Sequence, residues 1–130
     1  MFNELLTKNH AKILSSLHLK KFRQKYQLFT VEGEKSVSEL ITSAPHLVKE
    51  LIIRKSMATD YSALDNFNIF RAEDETMSKV SSMSTPPGII AICSMAGYLE
   101  SDEPDCDKYV LYLDDVRDPG NAGTIIRTAE

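Results

Sequence analysis

Residues 88–96, Gly-Ile-Ile-Ala-Ile-Cys-Ser-Met-Ala, contain a single polar side chain, that of Ser94. A strand this apolar has no face to offer water, so it belongs inside a sheet covered on both sides. That requirement points to an α/β architecture with helices above and below a sheet. The length permits it, since 130 residues can bury roughly two-thirds of the unfolded surface around one core. The 42% apolar and 26% charged residues are those of an ordinary globular domain. No stretch approaches the ~20 apolar residues of a membrane span. The opening MFNELLTKNHAK lacks the apolar run of a secretion signal. Two cysteines, Cys93 and Cys106, fit free thiols in a reducing cytosol.

Periodicity supplies the other elements. Ala11, Ile13, Leu14 and Leu17 predict a helix from Asn3 to about Leu17, and Leu28–Gly33 reads as a strand closed by a turn. Val37, Leu40 and Ile41 predict a helix over 34–42, ended by Pro45. Residues 50–54 and 67–71 read as strands, 61–64 as a weak helix, and 74–83 as a helix with Met77 and Val80 inward. Thr85-Pro86-Pro87-Gly88 is excluded from helix and central strand, because two prolines remove two donors. Residues 97–107 carry five acids among eleven residues and read as a linker. Beyond them, Lys108–Val116 is rich in β-branched and aromatic residues, a strand pattern. A turn, Asp118–Gly123, then opens a helix over 124–130.

The net charge of −4 hides an asymmetry. Residues 1–30 hold Lys8, Lys12, Lys20, Lys21, Arg23 and Lys25 against one acid, Glu4, a surplus of five. A local field of this sign can neutralise phosphates even in an acidic protein. Lys20, Lys21, Arg23 and Lys25 interleave with Phe22 and Tyr26, a pattern suited to RNA backbone contacts and base stacking. The two rings are equally explained as core anchors beneath a solvated cationic face.

At the strand-to-helix turn, Gly120 and Gly123 let the backbone approach a ligand, and the free N–H groups of the following helix attract anions. Asn121, read as a turn residue, can direct its amide toward the same mouth as Arg127, a fork suited to phosphate or ribose. Gly123, Thr124 and Arg127 share a face, while Ile125, Ile126 and Ala129 are expected to face a core. The turn matches neither a phosphate-binding loop nor a dinucleotide fingerprint. Asp114, Asp115 and Asp118 are better read as turn and helix caps than as a Mg²⁺ site. The histidines have no ligand spacing to the cysteines, so no metal is expected.

Asp114-Asp115-Val116-Arg117-Asp118-Pro119-Gly120-Asn121-Ala122-Gly123-Thr124-Ile125-Ile126-Arg127-Thr128-Ala129 closely resembles the first motif of SpoU-type (TrmH-type) RNA methyltransferases of the SPOUT superfamily. Residues 17–40, with Arg23 and Glu32-Gly33, resemble the start of that family's N-terminal substrate-binding domain. Residues 80–93 resemble its last helix-to-strand segment, with Pro87 where the family commonly has Gln.

The resemblance implies a three-layer α/β/α sandwich over 1–97, like that of certain RNA-binding ribosomal proteins. It implies an acidic linker over 98–107 and the first strand and helix of a trefoil-knotted domain over 108–130. It further implies S-adenosylmethionine as cofactor, a homodimer through the knotted domain, and methyl transfer to a ribose 2′-OH of ribosomal or transfer RNA. Asn121 and Arg127 are then the catalytic residues of this segment, and Asp118, Pro119, Gly120 and Gly123 its structural frame. A guanidinium stays protonated, so Arg127 is expected to orient the ribose and stabilise developing oxyanion charge, with Asn121 fixing it. The later cofactor loops are not in this sequence, so the 130 residues alone are expected to be inactive, and their oligomeric state is left open because the family dimer forms through the knotted domain. A stand-alone RNA-binding module and an unrelated nucleotide-binding α/β protein are the competing readings.

Overall fold

The computed structural model describes residues 4–57, 64, 66–95, 107 and 109–130. The chain divides into two compact units, residues 1–98 and 99–130. The predicted weak helix at 61–64 lies outside the described residues except for Leu64, and the linker except for Asp107.

The first unit is built on a five-stranded sheet: β1 (Glu4–Leu5), β2 (Leu28–Glu32), β3 (Val48–Arg54), β4 (Ile69–Ala72) and β5 (Ile89–Ser94). Their order across the sheet is β1-β4-β3-β5-β2. β1, β4 and β3 run parallel, while β5 is antiparallel to both β3 and β2. Helices α1 (Lys8–Ser16), α2 (Lys20–Tyr26), α3 (Glu34–Ser43) and α4 (Asp74–Val80) connect them.

Every residue of β5 is buried, and strand alternation sends its side chains to two separate cores. Ile90 and Ile92, with Ile52 of β3, join Leu14, Leu17, Met77 and Val80 of the α1 and α4 side. Ile89, Ala91 and Cys93, with Leu51 and Ile53, join Val37 of α3. Helices therefore cover both faces, which gives the three layers that the apolar strand demanded. Cys93 belongs to this core, and burial pushes its thiol up to about 11, which keeps it an unreactive apolar group at neutral pH.

The helix boundaries follow from capping chemistry. α1 begins later than periodicity suggests because the Thr7 hydroxyl accepts from the His10 N–H at 3.3 Å, which fixes the N-terminus there. Residues 4–5 pair with β4 instead. Ile13, expected inward, is exposed. α2 carries only a two-residue apolar pair, Phe22 and Tyr26, among its charged residues, too short a pattern for periodicity to mark; it ends on Gln27 in the left-handed conformation. α3 starts after Gly33, whose φ of +94° disfavours any residue with a Cβ. α4 stops at Val80 rather than Met83, because Ser81 is extended. His10 ties α1 to β3 through Glu50 at 2.8 Å. Burial pushes the Glu50 carboxyl up, and His10 offsets part of that rise.

The second unit departs from expectation in two places. Residues 109–114 form no strand, and Tyr109 and Tyr112 are fully or almost fully exposed. β-propensity needs a neighbour to hydrogen-bond, and none pairs with this segment among the described residues. Helix α5 spans Pro119–Ala129, so Pro119, Gly120 and Asn121 form its first turn instead of a preceding loop. Proline at the first helical position has no N–H to lose there. The expected core-facing residues of α5 are not buried: Ile126 is exposed, and no residue of the helix is enclosed.

Two substitutions test the two-core arrangement. Leu51→Ala and Ile52→Ala should each cost about 2–5 kcal/mol. In the double variant any departure from additivity should be smaller than for two deletions within one core, because the two side chains lie in separate clusters. Ile52 and Ile90 are register partners in one core, so Ile52→Ala with Ile90→Ala should deviate from additivity. Urea unfolding of these variants and the parent checks this.

Candidate functional site

Two places concentrate the residues singled out in the sequence: the cationic end of the first unit and the N-terminal turn of α5.

In the first unit, Lys20, Lys21 and Lys25 are exposed on α2, whereas Arg23 is half-buried. One turn of spacing stacks Phe22 on Tyr26 at 6.2 Å and 14°. Lys21 Nζ lies 4.9 Å from the centre of the Phe22 ring, and Lys25 Nζ 5.3 Å from that of Tyr26. Such contacts hold each ammonium over a ring with about 0.5–1 kcal/mol at an exposed site. Tyr26 also packs against the α1–α4 core, so it acts as an anchor. Phe22 is half-buried and held on Tyr26. The helix thus presents a row of lysines along a ridge of rings.

Arg23 faces inward along its own helix. Its Nη1 donates to the carbonyls of Leu17 at 2.8 Å and His18 at 2.9 Å, which closes the end of α1. His18 Nε2 lies 2.8 Å from the Val80 carbonyl, and the adjacent Ser81 and Ser82 hold Glu32. The Glu32 carboxylate accepts from both serine hydroxyls and from the Ser82 N–H at 2.9 Å. Arg23, His18, Ser81, Ser82 and Glu32 form one polar seam joining the α1–α2 turn, the end of α4 and the end of β2. Arg54 Nη2 donates to the Pro86 carbonyl at 2.7 Å, which ties the end of β3 to the proline turn before β5. Sequence reasoning found Arg23 and Glu32 but missed His18, Ser81 and Ser82. A serine pair straight after an apolar helix was the available signal, and its long-range partner was not visible in a local pattern.

In the second unit, Asp118 caps α5 by accepting from the Asn121 N–H at 2.7 Å. Asp115, at φ +53°, receives both Arg117 Nε at 2.9 Å and Nη2 at 2.8 Å, a two-point pair. These carboxylates are therefore occupied as caps and partners. Among the described residues no cluster of three or more His, Cys, Asp or Glu is arranged to hold a metal. Arg117, Asp118, Asn121 and Thr124 line an open hollow of about 460 Å³. Arg127 is not part of it. Because Asn121 sits inside the helix, the two residues are six positions and about 120° apart around the axis. The expected clamp of Asn121 on Arg127 is therefore not formed, and Arg117 shares the hollow with Asn121 in its place.

Comparison with known proteins bears on both places. Residues 8–91 match the family described as the MRM3-like substrate binding domain. The chain is similar to 23S rRNA (guanosine(2553)-2′-O)-methyltransferase RlmP of Bacillus subtilis, with 34% identity over 114 residues, covering 88% of this chain and 44% of that protein. A crystal structure of an RNA 2′-O ribose methyltransferase superposes with a TM-score of 0.72 at 20% identity, over 99% of this chain and 51% of the other. The SpoU methyltransferase AviRb from Streptomyces viridochromogenes, in complex with AdoMet, gives 0.64 at 18% identity, over 95% and 49%. At those identities the two structures speak for the fold. The chain spans about half the length of each of these three proteins.

Glu32 offers a measurable consequence. Burial raises its pKa, but the bonds from Ser81 and Ser82 outweigh that and leave it below the ordinary value of 4.5. Its ionised form therefore stabilises the fold above the unfolded value, and this contribution is lost as pH falls through the depressed pKa. Glu32→Gln should lower stability at neutral pH by on the order of 1 kcal/mol or less, since the group is partly screened by solvent. The variant should also show a shallower loss of stability as pH falls from just above the ordinary value of 4.5 through the depressed pKa. Thermal melts across that range check both.

Proposed function

The chain belongs to the family of MRM3-like substrate-binding domains, and from that premise we propose that it is the RNA-holding part of a SpoU-type methyltransferase acting on a ribose 2′-OH of ribosomal RNA. The match over residues 8–91 carries this reading. The named activity of the Bacillus subtilis relative supports the substrate and the reaction. The exposed lysines of α2 have the chemistry for it. Ammonium groups held over rings present fixed point charges to phosphates while leaving base identity unread. Lys20, Lys21 and Lys25 contact RNA in this reading, and Arg23 keeps the α2 ridge in place through the Leu17 and His18 carbonyls.

Residues 98–107 then link the RNA-binding domain, 1–97, to a catalytic domain that opens at residue 108 as a trefoil-knotted α/β unit and forms a homodimer. The support is the resemblance of residues 114–129. S-adenosylmethionine, when bound, supplies the methyl group as a sulfonium substituent. Cofactor sites bury most of their ligand, whereas residues 109–120 are all exposed and the hollow beside α5 is open. The described residues do not by themselves fit that cofactor. Arg127 is exposed near the end of α5. A protonated guanidinium there orients the RNA ribose-phosphate and stabilises negative charge on the 2′-oxygen, acting without Asn121.

The 130-residue chain should bind a fluorescein-labelled rRNA hairpin in anisotropy titrations. Lys20→Gln, Lys21→Gln and Lys25→Gln together should make the dependence of log K on log salt shallower by about 2, at roughly 0.7–0.9 for each phosphate that is no longer neutralised. Failure of the parent chain to bind RNA would refute the reading. Calorimetry with S-adenosylmethionine should give no heat of binding to these 130 residues. In the intact enzyme carrying this segment, Arg127→Lys should reduce turnover by about 10²–10³; unchanged turnover would remove Arg127 from the mechanism.

A further inference from the structure

The α1–α4 face holds a groove separate from the α2 ridge. It measures about 620 Å³ and is lined by Lys8, Ala11, Lys12 and Ser15 of α1 and by Glu75, Thr76 and Lys79 of α4. Lys8 and Lys12 are one helical turn apart, about 6 Å along the axis. Lys79 stands on the opposite wall. All three lysines are exposed at the rim, while the floor is made of small residues, Ala11 and Ser15. α1 contains no acidic residue. The one carboxylate lining the groove, Glu75, is paired with Lys79 at 2.6 Å. Lys79 and Lys8 together hold that carboxyl below its ordinary value. Three ammonium groups against one carboxylate leave the groove with a surplus of positive charge.

We propose that the α1–α4 groove is a second RNA site, in which Lys8, Lys12 and Lys79 seat the phosphodiester backbone independently of the α2 ridge. This rests on the reading of the chain as an RNA-binding domain. An open trough with charges along both walls suits a polyanionic strand rather than one small anion, which is better held in an enclosed pocket. Lysines without arginine forks give point charges that accept phosphate in many orientations, so the groove fixes the path of a strand and not its sequence. α1, α4 and the Tyr26 anchor of α2 all pack on the same core beneath one face of the sheet. The groove and the ridge therefore belong to the same layer.

The test uses the full chain, a fluorescein-labelled rRNA hairpin and unlabelled polyphosphate as competitor. Lys8→Gln with Lys12→Gln should weaken RNA binding about tenfold at low salt and make the salt slope shallower by about 1.5. Polyphosphate should displace RNA from the parent chain more effectively than from that variant. Lys8→Arg with Lys12→Arg should restore the slope, which a purely structural role would not require. Adding the α2 substitutions should reduce the slope further. If the groove variant keeps the parent slope while the α2 variant loses it, the groove inference falls and the RNA-binding function stands. If affinity drops with the slope unchanged, the lysines act on folding and the inference also falls. If the parent chain binds no RNA, the function itself is wrong and the groove falls with it.

Discussion

The first unit depends on one pair of strands that must be hidden on both sides. β3 and β5 pair antiparallel through Leu51–Ala91 and Ile52–Ile90, and each successive side chain enters the opposite core. Neither face can be left open without exposing a row of Ile and Leu to water, at ~25 cal/mol per Å². The positions of α1 and α4 on one side and α3 on the other follow from this. So does the layer on which the lysines stand, because helices that must bury one stripe turn the other outward.

How much could be read in advance depended on whether the signal was local. β5, α3 and the inner residues of α4 were legible because their hydrophobic period is complete within a few residues. The extent of α1 was not, since Thr7 fixes its start through a cap and residues 4–5 join a strand far along the chain. α2 escaped because Tyr26 anchors it while its charged residues hide any stripe. Residues 109–114 misled in the opposite direction: Tyr109, Val110, Leu111 and Tyr112 have high strand propensity, but propensity alone supplies no partner. Asp118-Pro119-Gly120 looked like a turn for a related reason. The residues that favour turns also favour the first positions of a helix, and the Asp118 cap decides between them.

The functional residues divide along the same line. Exposed lysines were legible as cations, but composition could not show that Arg23 serves backbone carbonyls while Lys21 and Lys25 rest on rings. Glu32 was legible only through resemblance, and its partners Ser81 and Ser82 are about fifty positions away. Asn121 and Arg127 were paired by an assumed turn. A helix that begins earlier, at Pro119, separates them. A site built across elements needs the fold before its members can be assigned to one another.

The separation of charge between layers has a kinetic corollary. α1 and α2 carry cations only, while α3, on the other side of the sheet, holds Glu34 and Glu39 against Lys35, and the chain as a whole is an anion. At separations well beyond the Debye length of ~8 Å, little of this field survives. Inside that distance the first unit, cationic on the α1–α2 side of its sheet, experiences a torque near a polyanion. It rotates until its lysine layer leads, and encounters in the reversed orientation are repelled before contact. Most of the alignment is complete when the surfaces meet.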